Sequence, residues 1–272
     1  MRTAEPAGIA IRASSAAAAS PKPASPTPRP TPTIGPPMAD TLPISEAFLS
    51  LQGEGKLTGV PSWFIRLSGC NLRCSWCDTP YASWNPEGEQ QSIADIVRAA
   101  ANSGARHAVV TGGEPMIFPK LPDLCAQLKD AGMHITIETA GTVFVETPCD
   151  LMSISPKLSN STPTGDPRDP TGAWAKRHEA RRLNPEALQQ LIDTSPDRQL
   201  KFVVTGPTDL AEIDALLAGL KGLDPADIML MPEGATTPDP ESIRWVVDLC
   251  LARGWRLCWR LHAQLFGDTR GT

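Results

Sequence analysis

The chain is 272 residues long, 41% hydrophobic and formally −5 at pH 7, large enough to bury a full core. No uninterrupted apolar stretch could span a bilayer, and the net acidity argues against nonspecific nucleic-acid binding. Seven cysteines, an odd number without a convincing secretory signal, fit a reducing compartment, so a soluble, cytoplasmic protein is expected.

Residues 1–37 alternate Ala, Ser, Thr and Pro, lack aromatic residues, and set Arg2, Arg12, Lys22 and Arg29 against a single acid, Glu5. Such a segment cannot bury enough apolar area to order itself. Its acid-poor, Arg- and Ser-containing composition weakly resembles an organelle transit peptide, but it is Pro-rich and has no amphipathic period. Met38 stands just before structured patterning begins, which makes 1–37 a disordered extension and 38–272 the folded body. Without the tail's four bases and one acid, 21 basic and 29 acidic residues remain, a net of −8.

Trp63–Leu67 reads as the first strand. Directly after it, Cys70, Cys74 and Cys77 lie in Gly69-Cys-Asn-Leu-Arg-Cys-Ser-Trp-Cys-Asp-Thr79. Residues 92–101 open with an N-cap serine and carry helical spacing. Further apolar runs follow at His107–Thr111, Met133–Glu138, Asp150–Ile154, Gln199–Val204, Asp227–Met231 and Arg256–Leu261. Amphipathic stretches at 119–131, 185–193, 208–220 and 239–253 separate most of them, several opened by proline near the first helical position. This β/α repeat predicts parallel strands under a helical layer, as an open sheet or a curved, incomplete barrel. Ligands of such folds gather at the carboxyl ends of the strands. The polar features cluster there: the cysteine loop, Thr111-Gly-Gly-Glu-Pro115, Glu138-Thr-Ala-Gly141, Ser155-Pro-Lys157 and Met231-Pro-Glu-Gly234. The stretch 158–183 has no place in the repeat; a lid, a dimer contact and a reductase docking surface all remain open for it.

The C-x3-C-x2-C spacing offers three thiolates to one metal centre and no local fourth. A four-iron, four-sulfur cluster normally takes four thiolates, so three leave one iron open to a small molecule. A structural zinc site would want two spaced pairs, and Cys125, Cys149, Cys250 and Cys258 supply no second pair. These four read as buried small hydrophobes. A cluster-bearing electron carrier or sensor would need neither the Gly-Gly turn nor a pocket rim.

The cysteine triplet together with Thr111–Pro115 resembles the radical S-adenosylmethionine superfamily, whose α/β fold is an incomplete (β/α)6-type barrel. Ser45-Glu-Ala-Phe-Leu-Ser-Leu-Gln-Gly-Glu-Gly55, Arg66, Cys77–Thr79 and Ser155–Lys157 further resemble the 7-carboxy-7-deazaguanine synthase family, a likeness running from about Ile44 to the C-terminus. The resemblance implies a lyase acting on 6-carboxy-5,6,7,8-tetrahydropterin, with 38–272 as the catalytic domain. It places the cluster on Cys70, Cys74 and Cys77, and Mg2+ on the Thr79 hydroxyl. S-adenosylmethionine would meet Trp76, Cys77, Asp78, Gly113, Ser155, Pro156, Lys157, Met231, Pro232, Glu233 and Gly234. Substrate would meet Leu51, Gln52, Gly53, Arg66 and Thr111, with Glu54 and His262 also candidates. An electron donor such as flavodoxin or ferredoxin and a homodimer are implied as well. A glycyl-radical activating enzyme of the same superfamily would share the cysteines and Thr111–Pro115, but gives no reason for Gln52–Gly55, Arg66 and Thr79 to occur together.

Overall fold

Alternation along the strands decides which side of the sheet packs against helices. The computed structural model describes residues 40–234, 236–267 and 269–272, so the boundary expected at residue 38 lies outside the described residues. The strands are β1 (Thr41–Leu51), β2 (Pro61–Leu67), β3 (Glu89–Ser92), β4 (His107–Gly112), β5 (His134–Thr139), β6 (Leu151–Ile154), β7 (Arg198–Val204), β8 (Ile228–Pro232) and β9 (Arg256–Leu257). They form one sheet in the order β3-β1-β2-β4-β5-β6-β7-β8-β9. From β2 to β9 every pairing is parallel, and the two end strands do not pair, so the sheet is not closed.

Three features differ from the repeat read in the sequence. β1 and β3 are additional strands that pair antiparallel at the β2 edge. β1 escapes the pattern because Ser45, Glu46 and Ser50 interrupt the apolar run. The β5–β6 connection contains no helix, and the run 256–261 is strand only at Arg256–Leu257 before Leu261–Phe266 turns helical. The helices are α1 (Ile93–Asn102), α2 (Leu121–Asp130), α3 (Ala173–Glu179), α4 (Pro185–Thr194), α5 (Leu210–Ala218), α6 (Arg244–Arg253) and α7 (Leu261–Phe266). None is long and apolar enough to cross a membrane.

Local chemistry sets the helix starts. Ser92 accepts a hydrogen bond from Asp95 N to open α1, which buries Ile93, Ile96 and Ala100 at helical spacing. Asn184 does the same for Ala187 N in α4, where Pro185 occupies the first turn and has no N–H in need of an acceptor.

Successive strand residues point to opposite faces. On one face Ile65, Leu67, Val110, Ile135, Ile137, Ile154, Leu200, Phe202 and Leu230 join the helices in the main core. The alternate positions, Ser62, Arg66, His107, Thr111, Thr136, Glu138, Ser153, Gln199 and Lys201, give the other face a polar character that a purely hydrophobic barrel strand would lack. At its floor the His107 ring sits 2.7 Å from both Ser62 Oγ and Thr136 Oγ1. Burial pushes this imidazole down to about 4, with His134 adding to the shift, so it is a neutral strut. Phe202 is fully buried at the centre of the core face. Phe202→Ala is expected to cost roughly 3–5 kcal/mol of unfolding free energy in urea titration; a loss under about 1 kcal/mol would show that this face is not the core.

Candidate active site

The carboxyl ends of the strands surround a cavity of about 700 Å3. Leu51, Gln52, Gly53, Arg66, Cys70, Cys74, Trp76, Cys77, Asp78, Thr79, Thr111, Gly113, Ser155, Lys157, Met231 and Glu233 line it, as the sequence leads one to expect. Pro156, Pro232 and Gly234 do not. Pro156 is buried, while Pro232 and Gly234 border a crevice of about 10 Å3 beside Arg260. Alternation explains this: Ser155 and Lys157, like Met231 and Glu233, face the cavity, so the residues between and after them face away.

The Gly-Gly turn is seated directly on the cysteine loop. A Cβ on Gly113 would lie 2.2 Å from the Gly69 carbonyl oxygen, and one on Gly112, at φ 145°, would lie 2.3 Å from that of Leu67. Gly113 N donates to Leu67 O at 3.1 Å and Glu114 N to Gly69 O at 2.9 Å. The wholly buried Glu114 carboxylate then accepts from Thr139 Oγ1, Ala140 N and Met116 N at 2.7–3.0 Å, tying this turn to the end of β5. Burial raises its pKa despite these bonds.

Cys70, Cys74 and Cys77 are free thiols around the same cavity. Burial pushes Cys70 up to about 12, with Glu114 adding to the shift, and raises Cys74 as well. Thiols in such a place ionise only when a cation takes them. Leu72 N already donates to Cys70 Sγ at 3.3 Å, and Ser83 Oγ lies 3.1 Å from Cys77 Sγ. Among the described residues no three His, Cys, Asp or Glu side chains meet at a point that would hold a single ion. Among the described residues Lys157 Nζ bonds to neutral partners, Ser155 O at 2.6 Å and Ser155 Oγ at 3.0 Å, leaving its charge available beside the cysteines. Burial lowers its pKa.

On the same cavity wall, Glu138 links two of the sequence-predicted residues. Its Oε1 accepts from Gln52 Nε2 at 3.0 Å and its Oε2 from Thr111 Oγ1 at 2.9 Å. The backbone N–H and C=O of Gln52 are engaged with Val60 and Gly59, and Gly53 O accepts from Leu261 N. Arg66 Nε donates to Glu46 Oε1 at 2.6 Å; this carboxylate also accepts from Tyr81 Oη at 2.8 Å, and Arg270 pairs with its other oxygen at 3.2 Å.

A second charged chain joins distant segments. Glu54 pairs with Lys201 and, at 3.3 Å, with Arg260, whose other nitrogens bond to Asp78 and to Gly234 O. Burial alone would raise Glu54; Lys201, Arg260 and His262 together overcome it and hold the carboxyl at about 2. Glu46, Tyr81, Lys201 and Arg260 are not among the residues the sequence assigns to the site, and Glu138 enters there only within a rim motif, without a role. Glu138 and Lys201 carried a usable signal, being charges next to apolar residues within β5 and β7, on the face that also bears Thr111 and Ser153.

Comparison with known proteins agrees with this geometry. The Radical SAM superfamily model matches residues 64–178. The chain is 48% identical to the 7-carboxy-7-deazaguanine synthase of Rhodopirellula baltica over 85% of this chain and 89% of that one. It is 45% identical to the Halobacterium salinarum enzyme of the same name, covering 85% and 93%. The chain belongs to the 7-carboxy-7-deazaguanine synthase family. The crystal structure of QueE from Escherichia coli superposes with a TM-score of 0.64 at 32% identity, covering 82% of this chain and 95% of that chain. As a radical SAM lyase, a member of this family uses a four-iron, four-sulfur cluster and S-adenosylmethionine.

Glu54 is ionised at neutral pH, and its ordinary value of 4.5 is lowered on folding, so its stabilisation is full above pH 4.5 and fades as pH falls toward 2. At about 1.4 kcal/mol per unit, the contribution is on the order of 3 kcal/mol, counting the Lys201 pair once. Glu54→Gln should therefore be less stable than wild type at pH 7 by about that amount. The gap should close in denaturation curves taken toward pH 2; an unchanged gap at pH 3 would contradict the assignment.

Proposed function

We propose that the protein converts 6-carboxy-5,6,7,8-tetrahydropterin to 7-carboxy-7-deazaguanine with loss of ammonia, a carbon–nitrogen lyase step in 7-deazapurine, queuosine-type biosynthesis. Substrate equals product plus ammonia in atoms and electrons, so no net oxidant is consumed. The observation that supports the reading is that the three-cysteine loop and the Gln52–Glu138–Thr111 cluster line one cavity. When bound to Cys70, Cys74 and Cys77, the cluster with S-adenosylmethionine supplies a 5′-deoxyadenosyl radical for hydrogen abstraction at C6.

The chain's own groups bind and orient. Lys157 would neutralise the cofactor's carboxylate, and Trp76, packed on Val203 and Met231, offers an apolar wall for the nucleoside. Ser155, Asp78, Gly113 and Glu233 complete that side. On the other side Glu138, Gln52 and Thr111 present acceptors and donors to the pterin edge, with Leu51 and Gly53 flanking them. Arg66 keeps its terminal nitrogens for the substrate carboxylate while Glu46 fixes its Nε. The Thr79 hydroxyl, 3.8 Å from Cys77 Sγ and on the cavity wall, is the proposed Mg2+ ligand, and the ion would supply charge neutralisation for the substrate carboxylate. A cytoplasmic homodimer reduced by a flavodoxin or ferredoxin completes the reading, with 38–272 as the catalytic domain and 1–37 as an extension.

The test is anaerobic reconstitution with iron and sulfide, followed by S-adenosylmethionine, reductant, Mg2+ and the carboxytetrahydropterin. Equimolar 7-carboxy-7-deazaguanine and ammonia are expected by chromatography. Cofactor cleavage without a deazaguanine would favour a protein-activating enzyme, and an intact cofactor an electron carrier. Cys74→Ala should abolish both cleavage and turnover. For Thr79→Ala, the Mg2+ dependence of turnover should be lost or displaced to higher concentration, while cofactor cleavage persists; an unchanged Mg2+ titration would remove Thr79 from the ion.

A further inference from the structure

The cysteine loop, residues 70–79, has no regular secondary structure, so its peptide N–H groups have no ladder to join and must find acceptors elsewhere. Two of them find acceptors in the stretch 158–183. Arg73 N, between the first two cysteines, donates to His178 Nδ1 at 3.1 Å, and Ser75 N, between the second and third, donates to Ser161 O at 2.9 Å. The contact continues through Trp76 Nε1 to Asn160 O at 3.2 Å, Arg168 Nη2 to Ser75 O at 2.7 Å, and the Arg73 guanidinium 4.0 Å over the Trp174 ring.

His178 and Ser161 are both wholly buried. A peptide N–H can only donate, so His178 Nδ1 is the acceptor and the ring's proton sits on Nε2. Ser161 Oγ gives its own hydrogen to Leu158 O at 2.6 Å and so receives that of His178 Nε2 at 2.9 Å. Every donor in this relay has one acceptor. Swapping the tautomer would set two donors against each other at Arg73, so the ring is held in one state and one orientation.

We propose that the segment 158–183 is a template for the cluster loop and that His178 is its positioning residue, holding Arg73 so that Cys70 and Cys74 are spaced for the cluster before iron arrives. This rests on the reading that Cys70, Cys74 and Cys77 carry the cluster. Beside the lid, dimer-contact and docking roles open to this stretch, it adds a fourth, a brace.

The test uses the full chain with His178→Ala, His178→Asn and His178→Gln. Asn replaces the acceptor at the Nδ1 position, whereas Gln reaches toward Ser161 and leaves Arg73 N without a partner. In cluster-free protein, hydrogen exchange at the Arg73 amide should be roughly tenfold faster in the Ala and Gln variants than in wild type and Asn, the effect of about 1.4 kcal/mol. After reconstitution the Ala and Gln variants should hold less iron and sulfide per chain and show an altered EPR signal of the reduced cluster, with Asn restoring both. If Ala does not fold, the Asn and Gln pair decides. Wild-type exchange, cluster content and EPR signal in the Gln variant would overturn the proposal. Failure of wild type itself to take up a cluster would instead overturn the underlying reading, while the exchange comparison still decides the brace.

Discussion

The site depends on the approach of one backbone to another. Gly113 lies so close to the Gly69 carbonyl that any side chain at this position would overlap it, and this contact sets the turn after β4 against the start of the cysteine loop. The buried Glu114 extends the lock to the end of β5 through two hydrogen bonds, from Thr139 Oγ1 and Ala140 N, and closes its own turn with a third from Met116 N. A carboxylate in that setting is costly unless all its acceptors are used. The same group that rigidifies three strand ends therefore leaves no slack in where the thiols stand.

Around that lock the sheet divides its work by face. Residues on the helix side supply a continuous apolar core, and the alternate residues supply a polar interior whose charges are linked rather than scattered. Glu138 joins Gln52 to Thr111, Glu46 joins Arg66 to Tyr81 and Arg270, and Glu54 joins Lys201 to Arg260 and Asp78. Each carboxylate holds groups from separate segments at fixed separations. For a reaction that must confine a reactive species and present one carbon to it, such preorganisation matters more than any single general acid or base.

Much of this was legible in the sequence. Helical spacing and caps located α1, α2, α4 and α5 to within a few residues, and the motifs after each strand named most of the cavity wall. What escaped has identifiable causes. β1 carries one charge, Glu46, on the cavity wall and two serines, and so breaks the apolar pattern by which strands are recognised; β3 is short and polar. Pro156, Pro232 and Gly234 were included because a motif was taken whole, although an extended chain can turn only alternate residues inward. Glu138, Lys201 and Arg260 meet Gln52 and Glu54 across 86 to 206 residues of chain, a proximity that no local pattern encodes. The role of 158–183 depended likewise on knowing what His178 and Ser161 touch.

The central claim is that three cysteines hold a cluster with one iron free for S-adenosylmethionine, beside a cavity built for the substrate. Its most direct test is the EPR spectrum of the reduced, reconstituted protein before and after the cofactor is added without substrate. Coordination at the free iron should shift the g values on addition. A spectrum unchanged at saturating cofactor would mean that the iron is closed, and would contradict the account.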